Sequence, residues 1–319
     1  MHEDRRQATA SATNTVTMLQ YAWVVLSVLV LCLGESAGLI GETNLFPAGV
    51  GPNDPPNFCG KEKTVTGADG VERIYNVSIP TITPFLVSNS TSRSAVVVAP
   101  GGGYSLLAWN IEGTLIAKKF NDFGMNVFVL KYRVPARPPT KGMPKWWAPL
   151  QDAQRAMSWV RANSQKFNLN ASRIGFMGFS AGGHLTAHIS TAWKSRIYKS
   201  IDSIDTFSSR PDFSLLIYPW TIIVDNKASS TNMADEIKIR PDTPPAFLAA
   251  AEDDATAPYQ NSLQYFMHLS TNAGVKMNRV GVYPNGGHGF NICFDDEGKY
   301  EVCNWPLKAK VWLEDLEYL

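Results

Sequence analysis

The sequence predicts an α/β fold in which a mostly parallel central sheet carries helices on both faces. Two observations point to it. Short β-branched and aromatic runs recur along the 319 residues, and segments of helical spacing separate them. Strands joined through helices pair in parallel and are covered on both faces, so they read as continuous apolar runs. There is no internal repeat, heptad run or low-complexity tract to suggest another architecture. One domain over 61–319 accounts for the alternation, with 1–37 ahead of it as a targeting segment and 38–60 as linker or lead-in. A domain of that length leaves little or no room for a helical cap.

Each element follows from its local pattern. Pro and Gly crowd Gly49 to Gly60, which breaks regular structure. Arg73 to Ile79 alternates in strand fashion, and Ser94 to Ala99 is a β-branched run ending at a glycine cluster. Ile111 to Asp122 has helical spacing, with Leu115, Ile116 and Phe120 on one side. Met125 to Tyr132 is a second buried strand, and a Pro-rich loop over Pro135 to Pro149 precedes an amphipathic helix from Leu150 to Asn163. A strand from Arg173 to Met177 leads into a helix from Ala181. Strands at Phe213 to Tyr218, Ala246 to Ala251 and Lys276 to Tyr283 follow, with a helix from Asn261 to Thr271 and a last one from Trp305 to Tyr318.

Composition narrows the function. A formal net charge of +1, with no zinc-finger, helix-turn-helix or RNA-binding pattern, gives no reason to expect nucleic acid as a partner. The N-terminus carries Arg5 and Arg6, then an apolar core from Val16 to Leu33, then small residues from Gly34 to Gly38. That order is a signal peptide over 1–37; the alternative is an uncleaved anchor, the only case in which a membrane is a partner. Both arrangements put the domain in the secretory lumen or outside the cell. Asn76, Asn89 and Asn170 stand in glycosylation triplets. Of the four cysteines, Cys32 falls in the targeting segment and Cys293 and Cys303 bracket a short acidic turn, which makes them the expected disulfide and leaves Cys59 over. No Cys/His spacing suits a metal, and no cofactor is expected.

Three sites carry chemistry. Gly178-Phe179-Ser180-Ala181-Gly182 lies between an apolar strand and a helix. A serine on so sharp a turn needs small residues two positions to either side, and its hydroxyl then points away from the sheet as a nucleophile. Its base is found among five histidines. His2 is in the targeting segment, and His268 sits in a predicted helix. His184 and His188, at i and i+4, have no carboxylate in the H-E-x-x-H spacing of a zinc helix. His288 lies in a glycine-rich loop after the last strand, where the chain order Ser, acid, His puts the base. The orienting acid then belongs to Glu252, Asp253 or Asp254 after the preceding strand, and spacing alone leaves Asp254 and Asp253 both open. Finally, Pro100-Gly101-Gly102-Gly103-Tyr104 follows a strand and lets backbone N–H groups converge as an oxyanion hole, completed by the N–H of Ala181.

The motifs PGGGY, PLQDAQRAMSWVR, RIGFMGFSAGGHL, AEDDATAPYQNSL and VYPNGGHGF together resemble the acetyl-esterase, xylan-esterase-like group of α/β-hydrolases, which is similar to feruloyl-esterase-like enzymes. The resemblance runs from about Val71 to the final helix. It implies an α/β-hydrolase fold and a triad of Ser180, Asp254 and His288. It also implies oxyanion donors at Gly102, Gly103 and Ala181, and a serine carboxylesterase for short acyl groups on small-molecule or carbohydrate alcohols. Lipase-like relatives carry His where this chain has Pro100, which turns the resemblance away from lipases. Two further readings use the same residues: a serine peptidase or formamidase, and a non-catalytic binding module. Trp109, Trp146, Trp147 and Trp220 are either packing residues or sugar-stacking platforms. Glu112 and Asp152 read as helix caps or as partners of Arg133 or Arg155.

Overall fold

The strands in chain order are β1 (Thr43–Asn44), β2 (Lys63–Thr66), β3 (Glu72–Tyr75), β4 (Thr81–Phe85), β5 (Ala95–Ala99), β6 (Leu107–Ala108), β7 (Asn126–Lys131), β8 (Ile174–Phe179), β9 (Ser214–Ile217), β10 (Ala246–Ala251) and β11 (Arg279–Tyr283). The helices are α1 (Leu115–Asn121), α2 (Trp147–Ala162), α3 (Ala181–Ala192), α4 (Gln260–Met267) and α5 (Trp305–Asp315). These come from a computed structural model that describes residues 41–52, 54, 60–88, 90–135, 143–293 and 298–319. They belong to the compact unit Gly41–Leu319. The expected targeting segment 1–37, Cys59 and Asn89 lie outside the described residues.

The main sheet has eight strands in the order β1-β4-β7-β5-β8-β9-β10-β11. It is parallel from β7 to β11, and β4 and β1 close one edge antiparallel. This is the α/β sheet that the alternating pattern predicts. The central runs AVVVA, NVFVLK and IGFMGF are buried throughout, as strands covered on both faces must be. On one face Phe120 of α1 and Trp305 and Trp312 of α5 pack with Phe179 and Phe213. On the other, Ala187 of α3 and Tyr265 of α4 pack with Leu216 and Leu248. The consequence for function is positional: Ser180 stands at the C-terminal end of β8, in the middle of the sheet, where α3 begins.

Three features were not read from the sequence. Strand β4 contains Pro84, a residue that argues against a central strand. It is tolerated because β1 pairs only with Thr81 and Ile82, so nothing on that side needs an N–H from Pro84. Helix α2 begins at Trp147 rather than Leu150, with Pro149 in its first turn, where the missing N–H has no partner to lose. The small antiparallel sheet β2-β3-β6 pairs short and partly exposed strands.

The segment expected as linker over 38–60 belongs to the domain from Gly41 to Asp54, which moves the boundary ahead of residue 61. Its β1 pairs with β4, and Leu45 and Phe46 are buried. Two buried arginines hold it. Arg155 donates from Nε to the Leu45 carbonyl at 2.8 Å, and the Phe46 ring lies within 6 Å of both guanidinium groups, 5.6 Å from Arg155 and 5.9 Å from Arg133. Arg133 donates to both Asp152 carboxylate oxygens at 2.9 and 3.0 Å and to Asp54 at 2.7 Å. Asp152 is thus the partner of Arg133, as the sequence allowed.

The Arg133 and Asp152 side chains are both fully buried. Removing one partner strands the other charge away from water, which costs about 3–5 kcal/mol. Asp152→Ala should therefore lose about 3–5 kcal/mol in urea denaturation, and a loss under about 1 kcal/mol would mean that the pair is solvated.

Candidate active site

The turn at Ser180 is as tight as the G-x-S-x-G spacing requires. Ser180 takes φ 52° and ψ −116°, outside the regions open to ordinary residues. A Cβ on Gly178 would meet the Gly182 carbonyl oxygen at 2.0 Å, and one on Gly182 would meet the Ala99 oxygen at 2.1 Å. Both obstacles are backbone, so neither can give. The Ser180 peptide is held at both ends: its N–H donates to Ile217 at 3.1 Å, and its carbonyl accepts from Trp220 at 3.1 Å and His184 at 3.0 Å. Such over-determination is what keeps a strained residue in place.

Ser180, His288 and Asp254 come together although they lie on three separate loops. Ser180 Oγ is 2.8 Å from His288 Nε2, and His288 Nδ1 is 2.8 Å from Asp254 Oδ2. The other Asp254 oxygen accepts from the N–H groups of Thr256 and Ala257, each at 2.8 Å, and the side chain is fully buried. That fixes the carboxylate, which in turn fixes His288 with its proton on Nδ1 and a lone pair toward serine. Tyr218 packs its ring edge-on against the imidazole, 5.2 Å between centres.

The neighbouring Asp253 has a different task. Its carboxylate accepts from Gly287 N–H at 2.7 Å and Gly286 N–H at 3.3 Å, tying down the loop that carries His288. Adjacent acids thus divide the work: one orients the ring and the other anchors its loop. Glu252 is exposed, and its backbone N–H donates to Tyr283.

The glycine loop lies against Ser180. A Cβ on Gly101 would stand 3.0 Å from the Ser180 Cβ, and Gly102 and Gly103 take φ of 132° and 61°. Gly102 could not be another residue, since its Cβ would meet the Leu106 oxygen at 2.1 Å. Among the described residues, no acceptor takes the N–H of Gly102 or Gly103, whereas Gly101 N–H donates to Glu112 at 2.6 Å. Ala181 is the first residue of α3, whose leading N–H groups have no partner within the helix.

Glu112 is the residue that sequence reading assigned wrongly. It pairs with neither Arg133 nor Arg155. It lies buried in a π-helical turn, Asn110–Thr114, and accepts from Gly101 N–H and from Tyr218 Oη at 2.7 Å. One carboxyl therefore clamps the glycine loop to the tyrosine that packs on His288. Its position eleven residues after Gly101 gave no local sign of this, because both partners come to it through the fold.

Cys293 and Cys303 are joined, with Cα atoms 5.3 Å apart, so the chain leaving the His288 loop is bonded to the start of α5. Of the tryptophans, Trp146 stacks on His188 at 4.0 Å, Trp109 packs on the core, and Trp220 is half-buried beside Ser180. The connection 218–245 holds nothing longer than a 3-10 turn at Val224–Asn226, so no helical cap arises there. It does bring Glu236 to within 3.6 Å of His184.

This frame is shared with known proteins. The BD-FAE family model matches residues 85–226, which include the glycine loop and Ser180. The chain has the α/β-hydrolase fold, and its stretch 85–226 is similar to the BD-FAE family. An acetylxylan esterase of Xylanibacter ruminicola is 31% identical over 259 residues, 72% of this chain and 48% of that protein. Endo-1,4-beta-xylanase B of Butyrivibrio fibrisolvens is 30% identical over 237 residues, 68% of this chain and 36% of its own length. The chain thus spans less than half the length of either of these curated relatives. The crystal structure of an acetyl ester-xyloside bifunctional hydrolase from Caldicellulosiruptor lactoaceticus superposes with a TM-score of 0.68 at 27% identity, covering 89% of this chain and all of that one.

Burial pushes the Glu112 carboxyl above its ordinary 4.5, against the pull of the Tyr218 and Gly101 hydrogen bonds and of His288. A carboxyl raised on folding weakens the native state as pH climbs from the unfolded value through the native one. Glu112→Gln cannot ionise, so it should gain stability on the wild type between pH 4.5 and neutrality. Urea midpoints at the two ends of that range read the change, and a variant that loses ground as pH rises would contradict it.

Proposed function

We propose that the chain is a serine carboxylesterase that hydrolyses short-chain acyl esters, acetyl foremost, on carbohydrate. The observation that carries this is the unbroken line from Ser180 to His288 to Asp254, with contacts of 2.8 and 2.8 Å. The glycine loop beside Ser180 supports the reading, as do the relatives named for acetylxylan and acetyl-ester hydrolysis.

In this mechanism Ser180 Oγ attacks the ester carbonyl while His288 Nε2 takes its proton, and Asp254 stabilises the imidazolium. The N–H groups of Gly102, Gly103 and Ala181 receive the oxyanion, where each such donor is worth about 100- to 1,000-fold in rate. His288 then protonates the leaving alcohol, and water repeats the cycle on the acyl-enzyme to release the acid. The lack of a helical cap over 218–245 suits a short acyl group on a bulky alcohol.

The same proposal includes export. A disulfide at Cys293–Cys303 is consistent with an oxidising compartment. Asn170 is exposed, and Asn76 is half-buried with its amide donating to the Lys61 carbonyl, so Asn170 is the better glycosylation acceptor of the two. Protein recovered from a eukaryotic secretory host should lose mass at the Asn170 peptide on deglycosylation; an unmodified peptide would remove that part of the proposal.

Activity is tested with p-nitrophenyl acetate and acetylated xylan. Ser180→Ala should lower kcat by about 10⁶-fold and Asp254→Asn by about 10⁴-fold. Asp253→Asn should lose far less, because it anchors the loop without touching the ring. Unchanged turnover in Ser180→Ala would sink the proposal, and a greater loss at Asp253 than at Asp254 would reassign the acid.

A further inference from the structure

A second cluster of chemically capable side chains lies one helical turn beyond Ser180. His184 and His188 both face the connection 218–245, and each is 2% exposed. The ligand-type atoms of His184, His188 and Glu236 all lie within 4.8 Å of one another. His184 Nε2 and both ring nitrogens of His188 are buried with no hydrogen-bond partner, which is costly for imidazoles held away from water. The fold has gone to some length to keep them there: Trp146 stacks over His188 and the His184 ring packs edge-on against it, 5.3 Å between centres.

The distances fit a bridged pair better than a hydrogen-bonded one. His184 Nε2 stands 3.6 Å from Glu236 Oε1, too far for a hydrogen bond. Two ligands of one tetrahedral zinc, at about 2.0–2.1 Å each, stand about 3.4 Å apart. His184 is also prepared as a ligand. Its Nδ1 is 2.8 Å from Tyr104 Oη, and a proton placed there leaves the Nε2 lone pair facing Glu236. Glu236 precedes the buried Ile237, which secures its backbone, while its own carboxylate stays part-exposed and gives an ion a route in.

We propose that His184, His188 and Glu236 form a binding site for a divalent zinc-class metal ion, separate from the triad. The set is two imidazoles and one carboxylate, with a fourth position left for water. No pair of these ligand atoms is more than 4.8 Å apart, against about 3.4 Å between ligands of one zinc. The helix-borne histidines lack the H-E-x-x-H carboxylate; the fold supplies one from a distant segment. Through Tyr104, which ends the glycine loop, an ion here would tie α3, the connection 218–245 and that loop together.

The test is zinc titration of the tag-free full chain by calorimetry, with Co²⁺ absorption as a probe of tetrahedral nitrogen and oxygen ligation. We expect one saturable equivalent and a melting temperature that rises with Zn²⁺ and falls back with chelator. Glu236→Gln, at a part-exposed position that leaves the core intact, should weaken binding at least about 100-fold. Asp235→Asn, a fully exposed carboxylate next to it, should bind as the wild type does. The absence of a saturable equivalent on the folded wild type would overturn the site, and so would equal binding by Glu236→Gln. None of these readouts depends on ester turnover, so the triad proposal stands or falls apart from it.

Discussion

The structure depends on how closely α3 approaches the sheet. Gly178 and Gly182 leave so little room that the helix backbone touches the Ala99 carbonyl of β5 and the end of β8 directly. Any side chain at either position would lift the helix. Because it sits so low, its first residue can lie beside the glycine loop, and Ser180 is forced into a conformation that projects its hydroxyl out of the sheet. The hydrogen bonds to Ile217, Trp220 and His184 offset that strain, and the parallel sheet beneath supplies the rigidity.

Around this fixed point the other groups are tied by short polar contacts. Asp254 is gripped by two backbone N–H groups, Asp253 grips the His288 loop, and the Cys293–Cys303 bond secures the chain that leaves it. Glu112 joins the glycine loop to Tyr218 and hence to the face of His288. A buried carboxyl raised by its surroundings is an unusual choice for a clamp. Here it can hold two donors from separate segments at once, which no apolar side chain could do.

Much of this was legible in the sequence because the features are local. The runs AVVVA and NVFVLK announce buried strands, the five-residue motif at Ser180 announces its own turn, and the glycine loop at His288 follows the last strand. What stayed hidden rests on contacts between distant segments. Leu45 and Phe46 are too short a pair to show periodicity, and they are part of the domain only because Arg133 and Arg155 receive them. Glu112 read as a helix cap or an arginine's partner because Gly101 and Tyr218 reach it only through the fold. His184 and His188 looked like packing residues until the connection 218–245 carried Glu236 beside them. Pro84 hid β4 by a rule that applies to central strands, at a place where the strand's neighbour ends early.

The central claim is that Ser180 is an activated nucleophile, and trapping tests it without reference to the natural substrate. Diethyl p-nitrophenyl phosphate reacts with a serine whose proton has a base to go to. After incubation, intact mass should rise by one diethylphosphoryl group, peptide mapping should place it on Ser180, and His288→Ala should remain unlabelled. A protein that turns over acetyl esters while Ser180 stays unmodified, or that carries the adduct on another residue, would contradict the assignment.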